Sequence, residues 1–364
     1  MRVVVTGASG NVGTSVVSRL LANPEVESIV GVCRRPPALR QPGVTWHGAD
    51  VGIDPLVPVV AGADAVIHLA WQIQPGHDTA QLARTNVIGT RRVVDAVVAT
   101  GVPTLIYASS VGTYARGPKD HPVDESWPAT GVPGSLYSAH KAAVERLLDS
   151  VAAASSGLRI VKLRKALVFK AGAATGIARL FLPRWLPTPV LGRRWVPAMP
   201  TFDRLALQVV HTDDAAAAYE QALVTGGAEG AFNIAADGVL GGRELADALG
   251  ARPVPVPLPA LRAVVEASWR ARLQPVAGGW VDLAAGVPLM DTGRARRELG
   301  WAPTQDAGAT FEDLLGGFAR RAGLPTAPLR PPPGGELLTF HPTSDPASGA
   351  TAGGPVHGGA PATR

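Results

Sequence analysis

The sequence predicts an α/β fold with a doubly wound parallel sheet, followed by a smaller C-terminal region. Over the first 165 residues, short β-branched strands alternate with helical segments, a pattern typical of a parallel sheet covered by helices. Beyond that point, proline-rich segments and shorter elements replace the alternation. The length of 364 residues allows two domains or one large α/β domain.

The first half of the chain carries the predicted sheet. Strands are expected at 3–5, 28–33, 44–47, 65–69, 104–108 and 159–163. Helices are expected at 12–21, 79–100 and 135–154, the second of them broken near its start. The stretch 115–135 is rich in glycine and proline and is predicted to be a long loop.

The second half is predicted to be less regular. Residues 170–205 hold many prolines and bulky apolar side chains, which we expect to wall a pocket. Further strands are expected at 208–211 and 231–234, and helices at 213–223, 243–249, 259–272 and 309–322. Asp213 or Asp214 is the expected N-cap of the first of these helices.

The last 34 residues differ from the rest in composition. From Pro331 onward, 14 residues are proline or glycine and almost none are large and apolar. Such a segment cannot bury enough apolar surface to order itself. We therefore expect a disordered tail.

Composition argues against several classes of function. The net charge is +5, but the arginines are scattered as pairs and aromatic residues make up only 5%, so no nucleic-acid partner is expected. Cys33 is the single cysteine, which precludes an intramolecular disulfide, and no metal-ligand spacing occurs. With a strand starting at residue 2 and no long apolar run, we expect no signal peptide, no membrane partner and a cytoplasmic location.

A glycine-rich turn links the first strand to the first helix. Gly7, Gly10 and Gly13 stand in the strand-to-helix context that makes such a motif informative. The first glycine permits the tight turn, the second lets the backbone approach a pyrophosphate, and the third lets the helix pack on the strand. The N–H groups at the start of the helix would bind the phosphates. The alternative is a structural loop with three glycines.

Tyr137 and Lys141 are four residues apart in a predicted helix, so both lie on one face. An ammonium beside a phenol stabilises the phenolate, which lets the tyrosine exchange a proton with a substrate oxygen. An exposed helical pair is the alternative. The glycine loop, the segment 68–70 and the serines 109–110 all end predicted strands, where ligands of doubly wound sheets bind. The motifs therefore converge on one crevice.

Taken in order, these motifs resemble the short-chain dehydrogenases/reductases, specifically their extended, epimerase/dehydratase-like class. The matching segments are 6–13, 50–51, 68–70, 86–90, 109–114, 137–141, 211–214 and 299–303. The resemblance covers about residues 1–320. It implies a Rossmann-type NAD(P)-binding domain over 1–165, to which 206–224 returns. It also implies a partly interleaved substrate domain over 166–325, with 326–364 as the tail.

The resemblance also implies roles for individual residues. Tyr137 is then the acid/base, and Lys141 binds the nicotinamide ribose and tunes Tyr137. Ser110 hydrogen-bonds the reacting oxygen, and Asn86 supports the lysine through water. The expected cofactor-binding residues are Gly7, Ser9, Gly10, Asn11, Val12, Gly13, Arg34, Arg35, Asp50, Val51, Leu69, Ala70, Trp71, Ala108, Tyr137 and Lys141.

The chain departs from the family pattern in two places. Leu163-Arg164-Lys165 replaces the usual Leu-Arg-Pro, and the glycine-rich segment that follows is changed at 169–172. Substrate contacts normally come from this region, so the family does not identify the substrate. Val111 and Gly112 stand where the 4,6-dehydratases carry an acidic residue, which argues against dehydration.

Cofactor preference is predicted from the end of the second strand, where an acidic residue would bind the ribose 2′-hydroxyl of NAD. Arg34 and Arg35 follow Cys33 there, without a carboxylate. Because a guanidinium pairs with a phosphate through two hydrogen bonds, NADP(H) is preferred and NAD(H) is the alternative. Asp50 is expected to accept a hydrogen bond from the adenine amino group, unless it is a turn aspartate.

Three functions are compatible with these residues. The leading hypothesis is an NAD(P)-dependent oxidoreductase that interconverts an alcohol and a carbonyl of a small molecule. The second is an NAD-dependent nucleotide-sugar epimerase, and the third is a non-catalytic NAD(P)-binding sensor. A homodimer is left open.

The remaining candidates are predicted to be mainly structural. We expect His68 to contribute backbone near the cofactor, and His211 and Asp214 to be strand-end and capping residues. Trp71, Trp185 and Trp195 are pocket candidates by location alone, with ordinary packing as the alternative.

Overall fold

The protein is described by a computed structural model over residues 1–38, 41–74 and 76–339. Strands lie at Arg2–Thr6 (β1), Ser28–Cys33 (β2), Val44–Gly48 (β3), Ala65–His68 (β4), Thr104–Ser110 (β5), Pro122–Val123 (β6), Arg159–Lys165 (β7), Leu167–Phe169 (β8), Ala198–Thr201 (β9), Ala206–Leu207 (β10), Val209–His211 (β11), Gly230–Ile234 (β12), Leu240–Gly241 (β13), Arg252–Pro255 (β14) and Leu289–Met290 (β15). Helices lie at Asn11–Leu21 (α1), Val57–Val60 (α2), Thr79–Ala83 (α3), Gly89–Thr100 (α4), Leu136–Ala154 (α5), Ala174–Phe181 (α6), Pro189–Gly192 (α7), Thr212–Val224 (α8), Gly242–Ala248 (α9), Leu258–Arg270 (α10), Gly278–Gly286 (α11), Gly293–Glu298 (α12) and Ala307–Arg320 (α13). A π-helical turn at Arg84–Ile88 joins α3 to α4, so the predicted break in this helix is present.

A seven-stranded parallel sheet forms the centre, with strand order β3-β2-β1-β4-β5-β7-β12. One face packs against α1 and α8, and the other against α2, α4 and α5. The predicted α/β fold with a doubly wound parallel sheet is therefore confirmed. Since the strand order reverses between β1 and β4, a crevice forms beyond their carboxyl ends, where ligands of such sheets bind.

The outermost strand of this sheet lies late in the chain. The sequence analysis assigned residues 231–234 to the C-terminal domain, but β12 pairs with β7 and extends the central sheet. Phe232 pairs with Leu163, and Ile234 pairs with Lys165. Local hydropathy identifies such a strand but does not indicate its partner, because pairing over 70 residues is a tertiary property.

The C-terminal region is built from smaller units. Strands pair as β8–β11, β9–β14, β10–β13 and β6–β15. Helix α13 packs on α6 and α7, with Leu314, Leu315 and Phe318 around Ala174. Helix α11, which the sequence analysis did not predict, packs against α10. The expected capping by Asp213 or Asp214 is wrong, because the Nδ1 atom of His211 accepts the hydrogen bond from the Asp213 N–H group at 3.3 Å and caps α8.

The expectation of a disordered tail from residue 326 requires correction for residues 326–339. The Leu338 N–H group donates to the Gly323 carbonyl at 2.8 Å, and the Glu336 N–H group donates to the Arg320 carbonyl at 3.1 Å. The Thr326 hydroxyl donates to the Ser9 carbonyl in the glycine-rich loop at 2.8 Å. This part of the tail is therefore anchored next to the predicted dinucleotide site. The expectation for 340–364 lies outside the described residues.

Leu329→Ala tests this anchoring. The Leu329 side chain is 3% exposed and packs with Ala173 and Leu324. Its truncation should lower the free energy of unfolding by about 2–5 kcal/mol, measured by urea denaturation. Leu337→Ala is the matched control, because Leu337 is 58% exposed, and it should stay within about 0.5 kcal/mol of wild type. Equal stabilities for both variants would contradict the docking of this segment.

Candidate active site

The glycine-rich loop between β1 and α1 has the geometry that its three glycines predict. Gly7 has φ +72°, and a Cβ atom there would lie 2.7 Å from the Ala70 nitrogen. A Cβ atom on Gly13 would lie 2.3 Å from the Gly7 carbonyl oxygen. At Gly10, a Cβ atom would meet only that same oxygen, at 3.3 Å. Gly7 and Gly13 therefore permit close packing of the backbone, while a Cβ atom on Gly10 would meet a single atom of the loop itself. The surroundings of Gly10 are compatible with the approach of a pyrophosphate.

The start of α1 offers backbone groups rather than side chains. Gly10 is the N-cap of α1 and provides no capping side chain, so N–H groups of the first turn remain for a phosphate. The Asn11 side chain donates to the Val168 carbonyl at 2.9 Å and accepts from the Thr212 hydroxyl at 3.1 Å. Asn11 and the half-buried Val12 can therefore contribute only their main chain to a dinucleotide. Ser9 is buried, and its carbonyl binds Thr326.

The end of β2 exposes two arginines toward solvent. Arg34 and Arg35 are both exposed after the buried Cys33. Arg35 lies near Arg179: burial mainly lowers the pKa of Arg179, and the charge of Arg35 lowers it further. The region beside the glycine-rich loop is therefore electropositive.

Asp50 closes a turn after β3. Its carboxylate accepts a hydrogen bond from the Gly52 N–H group at 2.8 Å, and its own N–H group donates to Asp54 at 2.8 Å. This geometry matches the turn-aspartate alternative and leaves one carboxylate oxygen for a ligand. The neighbouring Val51 is buried against Gly89 at the start of α4.

The segment that follows β4 borders the glycine-rich loop. The Leu69 N–H group donates to the Thr6 carbonyl at 3.0 Å, and the Ala70 N–H group to the Thr6 hydroxyl at 3.3 Å. The Asn86 side chain, in the π-helical turn, accepts from the Gln72 N–H group at 2.7 Å and donates to the Gln72 carbonyl at 2.8 Å. Asn86 therefore holds this segment through Gln72, since both polar groups of its side chain are engaged there.

Tyr137 lies at the N-terminus of α5, beside the end of β5. Burial raises the pKa of Tyr137 to about 12, and the nearby Ser110 hydroxyl opposes this rise only in part. The Ser110 hydroxyl also accepts a hydrogen bond from the Gly112 N–H group at 3.1 Å. Ser110 and Tyr137, two of the predicted catalytic residues, are therefore in contact, and the phenol is protonated at neutral pH.

Lys141 is buried one helical turn after Tyr137. Its Nζ atom donates to the Ala108 carbonyl at 2.6 Å and to the Tyr107 hydroxyl at 3.2 Å, and it lies 3.5 Å from the centre of the Trp71 ring. Burial lowers the pKa of Lys141 well below its ordinary value, and the charge of Lys165 lowers it further. The predicted residues Ala108, Trp71 and Lys141 thus form one cluster next to Tyr137.

A second buried lysine lies beneath this cluster, and the sequence analysis did not include it. The Nζ atom of Lys165 donates to the Ser109 carbonyl at 3.0 Å and to the Tyr219 hydroxyl at 2.8 Å. Burial lowers the pKa of Lys165 to about 7. The signal in the sequence was the departure from Leu-Arg-Pro, which placed a lysine at the end of a core strand.

Trp280 is another site residue that the sequence analysis missed. Its ring centre lies 5.2 Å from that of Tyr137 and 5.1 Å from that of Phe181. Trp71 also lies beside Tyr137, with ring centres 5.9 Å apart. Of the remaining candidate tryptophans, Trp185 lines a cavity and Trp195 is exposed.

His68 and His211 lie outside the reacting group. The His68 ring is buried between the Thr6 and Thr90 hydroxyls, at 2.6 and 2.9 Å. Burial, aided by the charge of Lys141, lowers the pKa of His68 to about 3, so it remains neutral. Asp214 accepts from the Thr304 hydroxyl at 2.6 Å and joins α8 to the segment before α13.

Within the described ranges, no group of three or more His, Cys, Asp or Glu residues could hold a metal ion. No helix in the described part of the chain is long and apolar enough to cross a membrane.

The Rossmann-type sheet, the open glycine-rich loop and the Ser110–Tyr137–Lys141 group together define an enzyme of the short-chain dehydrogenase/reductase type. The family model of the NAD dependent epimerase/dehydratase family matches residues 3–235. The chain belongs to this family, which confirms the resemblance seen in the sequence.

Individual comparisons agree with this family. An uncharacterized protein of Mycobacterium tuberculosis is 29% identical over 326 residues, covering 89% of this chain. The match covers only 31% of that relative, so the chain spans about a third of its length. The Saccharomyces cerevisiae decarboxylating sterol-4-alpha-carboxylate 3-dehydrogenase is 36% identical over 110 residues, covering 30% of this chain and 31% of that protein. The Thermus thermophilus UDP-glucose 4-epimerase, solved with NAD, has a TM-score of 0.63 at 22% identity, covering 87% of this chain and 99% of that one.

The buried lysines predict how stability depends on pH. An unfolded lysine keeps its proton up to pH ~10.4, whereas folded Lys165 loses it near pH 7. Unfolding therefore takes up a proton between these values, and the free energy of unfolding should rise with pH across this window. Lys165→Met should reduce that slope by up to about 1.4 kcal/mol per pH unit, measured by urea denaturation between pH 7 and 10. An unchanged slope would contradict the assigned protonation of Lys165.

Proposed function

We propose that the protein is an NAD(P)-dependent oxidoreductase that interconverts an alcohol and a carbonyl, with Tyr137 as the acid/base. The main support is the position of Ser110 next to the Tyr137 hydroxyl, whose pKa it lowers, beside the buried Lys141. This group lies at the same edge of the sheet as the glycine-rich loop, since β1, β4 and β5 are neighbouring parallel strands. Proton donor, orienting hydroxyl and dinucleotide cradle therefore share one crevice.

The dinucleotide cradle fits a nicotinamide cofactor. The backbone at Gly10 and the first turn of α1 would hold the pyrophosphate, because Gly10 has room there and no capping side chain competes. Lys141 and the segment Leu69–Trp71 would border the nicotinamide end. When bound, the nicotinamide supplies hydride transfer to or from the substrate carbon.

Side chains of the protein orient the substrate oxygen and transfer its proton. Ser110 orients the substrate oxygen, and the Tyr137 hydroxyl gives up or takes the proton on that oxygen. Because burial keeps Tyr137 protonated, its resting form suits donation to a carbonyl oxygen, the direction of reduction. In the direction of oxidation, a positive charge on Lys141 would stabilise the phenolate. The rings of Trp71 and Trp280 lie next to Tyr137, which is buried.

An NAD-dependent nucleotide-sugar epimerase is the second candidate. It is supported by the Thermus thermophilus structure, a UDP-glucose 4-epimerase of the same fold. The yeast relative, a dehydrogenase by name, supports net redox chemistry instead. The two candidates differ in their net use of the cofactor. An oxidoreductase changes the absorbance of the reduced nicotinamide at 340 nm in proportion to the product formed, whereas an epimerase leaves this absorbance unchanged over complete turnovers. A non-catalytic sensor would turn over neither class of substrate, and the contact between Ser110 and Tyr137 argues against it.

Tyr137→Phe tests the catalytic assignment. Loss of the ionisable oxygen should lower turnover by ~10²–10⁴-fold, while cofactor affinity stays near wild type because the ring is retained. Lys141→Met should lose activity and also bind the cofactor more weakly.

Tyr114→Phe is the control for this test, since its hydroxyl donates to Asn233 at 2.6 Å in the core. Its turnover, measured at saturating cofactor, should remain within a few-fold of wild type. If Tyr137→Phe kept more than a tenth of the wild-type rate, against the ~10²-fold minimum, Tyr137 would not be the acid/base.

We also propose a preference for NADP(H) over NAD(H). The support is the exposed pair Arg34 and Arg35 after β2. A guanidinium can pair with the 2′-phosphate of NADP, and no carboxylate follows β2 here to bind the ribose 2′-hydroxyl of NAD. The solved relative from Thermus thermophilus carries NAD, so NAD(H) use is the alternative.

Titration of both cofactors tests this preference. NADPH should bind more tightly than NADH, and Arg34→Ala or Arg35→Ala should weaken NADPH binding by about tenfold, as expected from losing a hydrogen bond to a charged group. Arg91→Ala on α4 is the control, because Arg91 is exposed there beside Asp95. Tighter binding of NADH, or equal loss in the control, would contradict the proposal.

A further inference from the structure

An open cavity of about 540 Å³ lies between the end of α6, helix α10 and helix α11. Its apolar wall includes Phe181, Trp185, Val265, Leu273, Trp280 and Val281. A cavity of this volume is in the range that holds a small organic molecule. The Trp185 indole donates to the Leu273 carbonyl at 3.3 Å, which ties the two sides of the cavity together.

The two polar side chains in the wall are already satisfied within the protein. The Gln274 amide donates to the carbonyls of Val265 and Val276, at 2.9 and 2.7 Å. The Ser268 hydroxyl donates to the Val265 carbonyl at 3.0 Å. The wall therefore presents an apolar surface to a ligand.

One side chain, Trp280, borders both the cavity and Tyr137. Trp280 lines the cavity and also contacts Tyr137, with ring centres 5.2 Å apart. A molecule that extends from Tyr137 past Trp280 would place its far part in this cavity.

Three of the cations around α11 are engaged in structural contacts. Arg262 binds the Asp282 carboxylate through Nε at 2.8 and 3.0 Å. Lys119 donates to the carbonyls of Ala206 and Ala284, at 2.7 and 3.0 Å. Arg204 donates to the carbonyls of Ala285 and Gly117, at 3.2 and 2.7 Å. Binding a diphosphate with these groups would require breaking such contacts. Arg184 and Arg272, which adjoin the lining residues Trp185 and Leu273 in the sequence, are exposed.

We infer that the substrate is an uncharged alcohol or ketone with an apolar body, which this cavity binds, and that it is not a nucleoside diphosphate sugar. The inference rests on the proposed function, because it takes Tyr137 as the reacting group. Trp280 is then the residue that determines specificity, since it separates the reacting oxygen from the apolar body.

Two neighbouring valines on α10 provide a matched test. Val265 lines the cavity, whereas Val264 is 67% exposed and does not. Nile red, an uncharged apolar dye, is titrated into wild type, Val265→Asp and Val264→Asp while its fluorescence is measured. A carboxylate in the wall should weaken binding at least tenfold in Val265→Asp, because an apolar ligand would desolvate it, and Val264→Asp should match wild type. Leu273→Asp, at the exposed mouth, replaces Val265→Asp if the latter does not fold.

Competition identifies the class of substrate. The uncharged bicyclic ketone trans-1-decalone should displace the dye, and UDP-glucose should not. Equal dye binding in all variants would overturn the inference. So would displacement by UDP-glucose that is lost in Arg184→Ala or Arg272→Ala.

Turnover of decalone and of UDP-glucose distinguishes a failure of this inference from a failure of the proposed function. Decalone that displaces the dye and is reduced with NADPH, but not by Tyr137→Phe, supports both. Displacement without any reduction supports the apolar cavity and counts against the oxidoreductase proposal. Tyr137-dependent epimerisation of UDP-glucose supports the role of Tyr137 and overturns the apolar substrate.

Discussion

The buried ion pair between Glu145 on α5 and Arg164 on β7 fixes the geometry of the site. The Arg164 guanidinium donates to both carboxylate oxygens, at 2.6 and 3.0 Å, and the Ser109 hydroxyl donates to the same carboxylate. Burial raises the pKa of Glu145, but Arg164, together with Lys162 and Ser109, outweighs burial and holds the pKa of this carboxyl below its ordinary value. Since Glu145 follows Lys141 by one helical turn, the pair anchors the helix that carries Tyr137 and Lys141 against the ends of β5 and β7. Removing one partner of such a buried pair typically costs about 3–5 kcal/mol.

The same carboxylate balances an excess of buried positive charge. Lys162 lies 3.7 Å from Glu145, and the charge of Glu145 favours the protonated form of Lys141. Lys165 acts in the opposite direction on Lys141, and it has no carboxylate of its own among its hydrogen-bond partners, which are a carbonyl and a tyrosine hydroxyl. Proton occupancy at Lys141 therefore depends on two neighbours with opposite effects. This coupling connects Lys141, next to the proposed acid/base Tyr137, to a residue at the end of β7.

Local features were predictable from the sequence, and non-local ones were not. The alternation of strands and helices, the glycine-rich turn and the spacing of Tyr137 and Lys141 each depend on a few neighbouring residues, so a sequence reveals them directly. The pairing of β12 with β7 and the contacts of Asn86 with Gln72 depend on register between distant segments. The tail was misjudged over 326–339 because composition averages over many residues, whereas docking uses Leu329 and a few backbone hydrogen bonds.

Helix α11 links the proposed acid/base Tyr137 to the apolar cavity. Trp280 and Val281 face the apolar cavity, and Leu283 packs near Gly112 and the Tyr137 ring. Asp282, between them, neutralises Arg262 on α10. One short helix therefore supplies part of the apolar wall, packs near Tyr137, the proposed acid/base, and pairs with a cation beside the cavity. Because these roles are carried by four consecutive residues, a shift of α11 would change substrate recognition and the surroundings of Tyr137 together.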